Sequence, residues 1–291
     1  MRQACQARES PRRAVERPTS FIFTLFGDMV ERAPQAEDRW LGIGALVRLM
    51  GAFDISEAAV RQAVSRMSRQ GWLTSQRRGN RSFYAVTPRG RRRIEELAPR
   101  IYGPVVEWDG RWRLLTYTIG EADRDQRDRL RKELHVLGWA PLSASTWISP
   151  NGALAAAREA AAAAGAQRAV HLFAGEYCGE QSDRELLESC WDLPAIAADY
   201  DAFVATYAPR LEAERRGGTL AEEDAFAERL WLVHDFRKFA YVDPGLPSVL
   251  LPAHWPGTKA AALFREYYAS VDAKSWRYFR RCASAAATNG A

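Results

Sequence analysis

The stretch from Asp54 to Gly71 constrains the fold more than any other part of this chain. A cap-like Asp54/Ser56 start precedes Val60, Val64 and Met67 at i, i+4 and i+7, and Gly71 closes the run. That spacing predicts a helix with one buried face. The opposite face carries Arg61, Gln62, Ser65, Arg66 and Arg69, side chains that donate to base edges and phosphates when a helix enters the major groove of DNA. Between Glu57 and Glu95 there are ten arginines and no acidic residue. Such a segment attracts a polyanion, although a charge run is also an ordinary solvated face.

The flanking sequence supplies the partners this helix needs. Phe21, Ile22, Leu25, Phe26 and Met29 recur at helical spacing after a Thr19/Ser20 capping signal, Ala33 to Asp38 reads as a loop, and Leu41 to Met50 reads as a second helix closed by Gly51. After Gly71, a strand from Trp72 to Ser75, a basic turn over Arg77–Arg81 and a strand from Ser82 to Val86 predict a hairpin wing. Thr87-Pro88 then launches a basic helix toward Pro99. Helix, helix, recognition helix and basic hairpin in this order define a winged helix-turn-helix. Arg77, Arg78 and Arg81 of the wing are expected to contact phosphates or the minor groove.

Charge divides the chain at the same place. Residues 1–100 hold 19 Arg and 10 Asp+Glu, a balance of +9, whereas residues 101–291 hold 22 Lys+Arg and 26 Asp+Glu, a balance of −4. The expected organisation is α+β in four parts: a basic disordered tail over 1–17, the winged helix over 18–100, a β-α-β-α-β ferredoxin-like domain over 101–180 and a helical domain over 181–291. No apolar run is long enough to span a membrane and the start lacks a signal-like apolar stretch, so a cytoplasmic protein is expected. Cys5, Cys178, Cys190 and Cys282 lack metal-site spacing and read as reduced thiols, and His135, His171, His234 and His254 are scattered. Without a nucleophile elbow, a phosphate loop or a dinucleotide fingerprint, the expectation is a non-enzyme with neither cofactor nor metal.

Several segments together resemble the PaaX family of repressors of phenylacetate catabolism. They are Phe23–Asp28 (FTLFGD), Val60–Arg66 (VRQAVSR), Gly71–Leu73 (GWL), Gly138-Trp139, Trp147–Pro150 (WISP), Asp243–Pro247 (DPGLP) and Leu250–Gly257 (LLPAHWPG). The resemblance implies a homodimer that binds double-stranded operator DNA and is released by an aryl-CoA thioester, typically phenylacetyl-CoA. The middle segment also looks like the ferredoxin-like fold of CRISPR adaptation nucleases, whose metal-binding aspartate sits near the end of the first strand. Here that stretch reads Tyr117-Thr-Ile-Gly120, with no carboxylate. The alternative kept open is an acyl-CoA-processing enzyme or nuclease-like protein with an accessory DNA-binding module.

Candidate effector contacts follow from residue type. His234, Arg237 and Lys238 fall at i, i+3 and i+4 on one expected helix, with Tyr241 close behind and Trp255 in the following proline-rich loop. Cations suit thioester phosphates and aromatics suit an aryl group. The same residues also describe a helix docked by its aromatics with an exposed basic stripe.

Overall fold

The computed structural model describes residues 15, 17–33, 39–103, 107–151, 153–218, 220–243 and 245–288. Nearly all of the expected 1–17 tail and most of the expected Ala33–Asp38 loop lie outside these residues. The described chain is α+β and divides into two compact units, neither contiguous in sequence. One comprises residues up to Glu96, Ala213–His234 and those from Glu266 onward; the other comprises Leu97–Glu212 and Asp235–Arg265.

In the first unit, helix α1 (Pro18–Leu25) starts at its proline rather than at Thr19 or Ser20, because proline suits the first helical position, where no N–H partner is needed. It widens into a π-helical turn over Phe26–Val30. Leu41–Gly42, expected as helix, forms instead a two-residue strand β1 paired with Tyr84 and Phe83. Helix α2 (Ile43–Gly51) and helix α3 (Glu57–Arg69) follow, and the Ser56 hydroxyl accepts from the Ala59 N–H at 3.3 Å to cap α3. Strands β2 (Leu73–Arg78) and β3 (Arg81–Val86) pair antiparallel along their whole length, giving a sheet of order β1-β3-β2. The turn is tighter than expected. Only Gly79 and Asn80 lie outside the ladder, and Gly79 has φ 58°, a positive value suited to the first position of a two-residue hairpin loop. Helix α4 (Pro88–Tyr102) begins as expected, with Thr87 accepting from the Gly90 N–H at 3.1 Å, and runs through Pro99 instead of stopping there.

The core of this unit draws on both ends of the chain. Phe21, Ile22, Leu25 and Met29 meet Leu46 and Leu49 of α2 and Val60, Val64 and Met67 of α3. The same cluster contains Phe226 and Leu230 from helix α9 (Glu222–Phe236) and Tyr278, Phe279 and Cys282 from helix α11 (Pro256–Thr288). Beside them, Arg229 is 1% exposed and donates through Nε to Asp28, itself 1% exposed, at 2.7 Å. Its other nitrogens reach Asp272 and the Tyr268 hydroxyl, and that hydroxyl donates to the second oxygen of Asp28 at 2.8 Å.

The second unit holds strands β4 (Trp112–Tyr117), β5 (Ala140–Pro141), β6 (Thr146–Ser149) and β7 (Val170–Gly175), with helices α5 (Arg124–Val136) and α6 (Leu154–Ala163) between them. The sheet is antiparallel in the order β5-β6-β4-β7. Leu115, Tyr117 and Trp147 of the sheet share a core with Leu130 and Leu134 of α5 and Ala157 and Ala161 of α6. Helices α7 (Asp183–Cys190), α8 (Leu193–Arg215) and α10 (Phe239–Val242) follow. Near the end of α4, Arg100 donates to the carbonyls of Val136, Leu137 and Ala240, capping two helix ends at once.

Removing Arg229 leaves the Asp28 carboxylate buried without its cation. Arg229→Met is expected to lower the unfolding free energy by about 3–5 kcal/mol. Asp28→Asn combined with Arg229→Met should recover part of that loss. Urea unfolding followed by circular dichroism measures both, and a loss below about 1 kcal/mol in the single variant would contradict the buried-charge account.

Candidate nucleic-acid interface

Helix α3 presents its two faces as its periodicity dictates. Val60, Ala63, Val64 and Met67 are buried, while Arg61, Gln62, Ser65, Arg66 and Arg69 are all exposed. Gln62, Ser65, Arg66 and Arg69 recur at i, i+3, i+4 and i+7, so they form one continuous stripe. Arg61 is bonded to Glu57 one turn earlier, Nη2 to Oε1 at 2.7 Å, with both side chains more than half exposed. Among the described residues, Arg66 and Arg69 form no ion pair, so their guanidinium edges face solvent.

The hairpin brings Arg77, Arg78 and Arg81 together in a different way. Arg77 and Arg78 are exposed near the end of β2, and Arg81 is half-buried at the start of β3. Arg77 donates to the Gly79 carbonyl at 3.3 Å, which ties it to the turn. The Arg78 guanidinium lies 5.0 Å from the Phe83 ring centre and 5.7 Å from that of Trp40. Gln76 stands opposite Phe83 in the ladder, so Arg78 is the diagonal neighbour of that ring. Phe83 and Trp40 escaped the reading of the sequence. The signal for Phe83 is the hairpin register, which is fixed only when the loop is known to have two residues; Trp40 is brought in by the pairing of β1 with β3, which has no local signal. Arg89 is held similarly, 4.5 Å from the centre of the Trp72 ring and bonded to the Gln70 carbonyl just past α3.

Of the remaining arginines in the acid-free segment, Arg91 bonds Glu31 at 2.8 Å and Arg93 bonds Glu96 at 3.1 Å. The hydrogen bond to Glu31 raises the Arg91 pKa above its ordinary value. Arg92 is exposed.

Comparison with known proteins places this geometry in a family. Residues 17–90 match the PaaX-like protein family, residues 105–187 the PaaX protein central Cas2-like domain, and residues 191–281 the PaaX-like protein C-terminal domain. The transcriptional repressor PaaX of Escherichia coli (strain K12) is 32% identical over 259 residues, covering 87% of this chain and 80% of that protein. The chain belongs to the PaaX family. A solved structure, the uncharacterized protein Rv0674 from Mycobacterium tuberculosis, has 22% identity and a TM-score of 0.53, covering 88% of this chain and 97% of that one. At that identity the likeness is one of fold alone.

In this PaaX-family chain the expected effector residues are distributed between the two units. His234 belongs to the first, where its Nδ1 is 3.0 Å from the Thr24 hydroxyl and its ring lies 4.9 Å from that of Phe21. Arg237, Lys238, Tyr241 and Trp255 belong to the second. Burial lowers the Arg237 pKa, against the opposing pull of Tyr241, Tyr102 and Asp235. Lys238 is exposed and pairs with Asp235 at 3.4 Å, and Tyr241 is 39% exposed. Trp255 packs edge-on against Tyr200. Among the described residues, no group of three or more His, Cys, Asp or Glu side chains is placed to hold a metal, and no helix is long and apolar enough to cross a membrane.

Proposed function

We propose that this PaaX-family protein represses transcription by binding double-stranded operator DNA through residues 18–100, which act as a winged helix-turn-helix. The observation that carries this reading is the solvent-facing stripe Gln62, Ser65, Arg66 and Arg69 on α3, set beside an arginine-tipped hairpin in one compact unit. Helix α3 inserts into the major groove, where Arg66 and Gln62 read base edges, with Arg61, Ser65 and Arg69 on bases and nearby phosphates. Arg77, Arg78 and Arg81 of the wing hold the DNA backbone or the minor groove. The sheet order of the middle segment is that of a ferredoxin-like domain, whose fourth strand is the short β5. The similarity to the transcriptional repressor of Escherichia coli supports repression as the outcome of binding.

The resemblance further supports a homodimer reading two half-sites, and release from the operator of an aromatic catabolic operon by an aryl-CoA thioester such as phenylacetyl-CoA. Within the 181–291 segment, Lys238 and Tyr241 offer the exposed cation and ring that such a ligand uses, with Arg237 one residue before Lys238. His234 stays with Thr24 and Trp255 with Tyr200 unless the ligand displaces them.

Two sets of variants separate base reading from backbone binding. Arg66→Ala and Gln62→Ala are each expected to lower operator affinity by about 1–3 kcal/mol while leaving affinity for unrelated duplex DNA nearly unchanged. Arg77→Ala and Arg78→Ala should weaken both duplexes alike and flatten the dependence of log K on log salt by about 0.9 for each phosphate that is no longer neutralised. Fluorescence anisotropy at several salt concentrations measures all four. Wild-type operator affinity in both α3 variants would remove the helix from the interface.

Release by a thioester obeys reciprocity. If phenylacetyl-CoA weakens operator binding tenfold, about 1.4 kcal/mol, then operator DNA weakens phenylacetyl-CoA binding tenfold. Calorimetric titration of phenylacetyl-CoA into the free protein and into the operator complex is expected to give affinities that differ by that factor. Equal affinities would exclude the allosteric release while leaving DNA binding untouched.

A further inference from the structure

Within the second unit, the end of α7, the start of α8 and the loop leading into α11 line an open cleft of about 530 Å³. Its volume lies in the range of about 300–1,000 Å³ usual for small-molecule sites. Trp191, Trp255, Pro194, Pro252 and Pro256 line it together with the ionisable side chains of Glu188 and His254. Among the described residues, neither Arg nor Lys lines it. This composition selects a ligand: the indoles favour a flat ring, and the Glu188 carboxylate repels an anion and accepts from an N–H or O–H donor.

The Trp255 wall is built before any ligand arrives. A Cβ at position 257 would lie 2.5 Å from the Trp255 Nε1 and 2.8 Å from Tyr200 Cε2, so only glycine there lets both rings close over the start of α11. Tyr200 is itself fixed. Its ring stacks on Phe239 at 3.9 Å, and its hydroxyl donates to the Asp243 carboxylate at 2.8 Å. That carboxylate also accepts from the backbone of Gly245 and Leu246 at 3.0 and 2.9 Å. His254, immediately before Trp255, holds φ 65°, a left-handed backbone that residues other than glycine adopt only when their surroundings enforce it. A chain of contacts from Asp243 through Tyr200 thus positions Trp255 in advance, which lowers the ordering cost of binding.

We infer that this cleft is a binding site for a small aromatic molecule that carries a hydrogen-bond donor and no negative charge, with indole as its probe. The inference shares Trp255 with the effector reading but does not depend on it, since its ligand is neither DNA nor a thioester.

The test is calorimetric titration of the full-length protein with indole, with toluene and with benzoate. Indole is expected to bind one to one, toluene more weakly, and benzoate not at all. Trp255→Ala should weaken indole at least tenfold, and Trp255→Phe, which keeps a flat ring, should restore most of the affinity. Glu188→Gln should narrow the difference between indole and toluene, because it weakens the acceptor and leaves the ring packing intact. Thermal unfolding of each variant separates a damaged site from a damaged fold. Benzoate binding as tightly as indole, or indole affinity unchanged in a folded Trp255→Ala protein, would overturn the assignment; so would the absence of indole binding to the wild-type protein.

Discussion

Arg229 and Asp28 are 201 positions apart in the chain and meet in the interior of the first unit as a nearly water-free ion pair. Burial works against the arginine's charge, and Asp28 with its neighbours more than offsets this, so its pKa lies above the ordinary value. The guanidinium uses all three nitrogens, on Asp28, Asp272 and Tyr268, and its flat face meets the rings of Tyr268 and Trp276 at 4.4 and 5.5 Å. A buried charge satisfied in this way adds little net stability over an apolar packing of the same shape. What it adds is geometry, because any shift of α9 or α11 against the π-helical turn breaks a charged hydrogen bond in a dry interior. Asp28 sits inside that turn, where the wider winding marks a local departure from the regular α-helix.

The consequence concerns what holds α3. Its buried residues pack in a cluster that also contains Phe226, Leu230, Tyr278 and Phe279, so the proposed DNA-reading segment is completed by helices from the far end of the chain. Arg48 of α2 adds a bond to the Cys282 carbonyl at 2.7 Å, and Ser275 of α11 bonds the Ala225 carbonyl of α9 at 2.9 Å. On the surface of the same unit, Glu222 pairs with Arg277 and Arg281, and Arg215 with Glu266. These exposed pairs add little individually. The apolar cluster supplies most of the stabilisation, and the Arg229 network fixes its geometry.

Much of this was legible in the residues. The faces of α3, the hairpin and the proline-led start of α4 follow from a strong 3.6-residue period, turn chemistry and capping, each a local rule. Strands β1 and β5 escaped because two residues carry no period, and Leu41-Gly42 was absorbed into the helix beside it. The Arg229 network escaped for a different reason. An arginine in a helix reads as solvated until its partner is known, and nothing local links it to an aspartate two hundred residues earlier. The same limit applies to the effector residues: His234 and Lys238 have a helical spacing, but α9 ends at Phe236, so Arg237 and Lys238 fall in the turn before α10, and Thr24, which bonds His234, is invisible from the local sequence. The cleft at Trp255 depends on Gly257 and Tyr200, from two elements that only the fold brings together.

The arginine-rich face shows how a protein fixes a cation without neutralising it. A carboxylate partner orders a guanidinium but uses its hydrogen-bonding edge and its charge, as Glu31 does for Arg91 and Glu96 for Arg93, both on α4. Elsewhere the ordering comes from aromatic faces instead: Phe83 and Trp40 for Arg78 on the hairpin, and Trp72 for Arg89 at the start of α4. A cation held over a ring gains about 0.5–1 kcal/mol at exposed sites without spending its charge on a carboxylate. A phosphate then meets a charge that has already given up part of its rotamer freedom, so less ordering remains to be done on binding. The absence of acids between Glu57 and Glu95 therefore does more than raise the local potential. For Arg78 and Arg89 it leaves aromatic rings and uncharged oxygens as the nearby means of positioning, and these hold a cation with its charge intact, whereas Arg61, Arg91 and Arg93 are held by Glu57, Glu31 and Glu96.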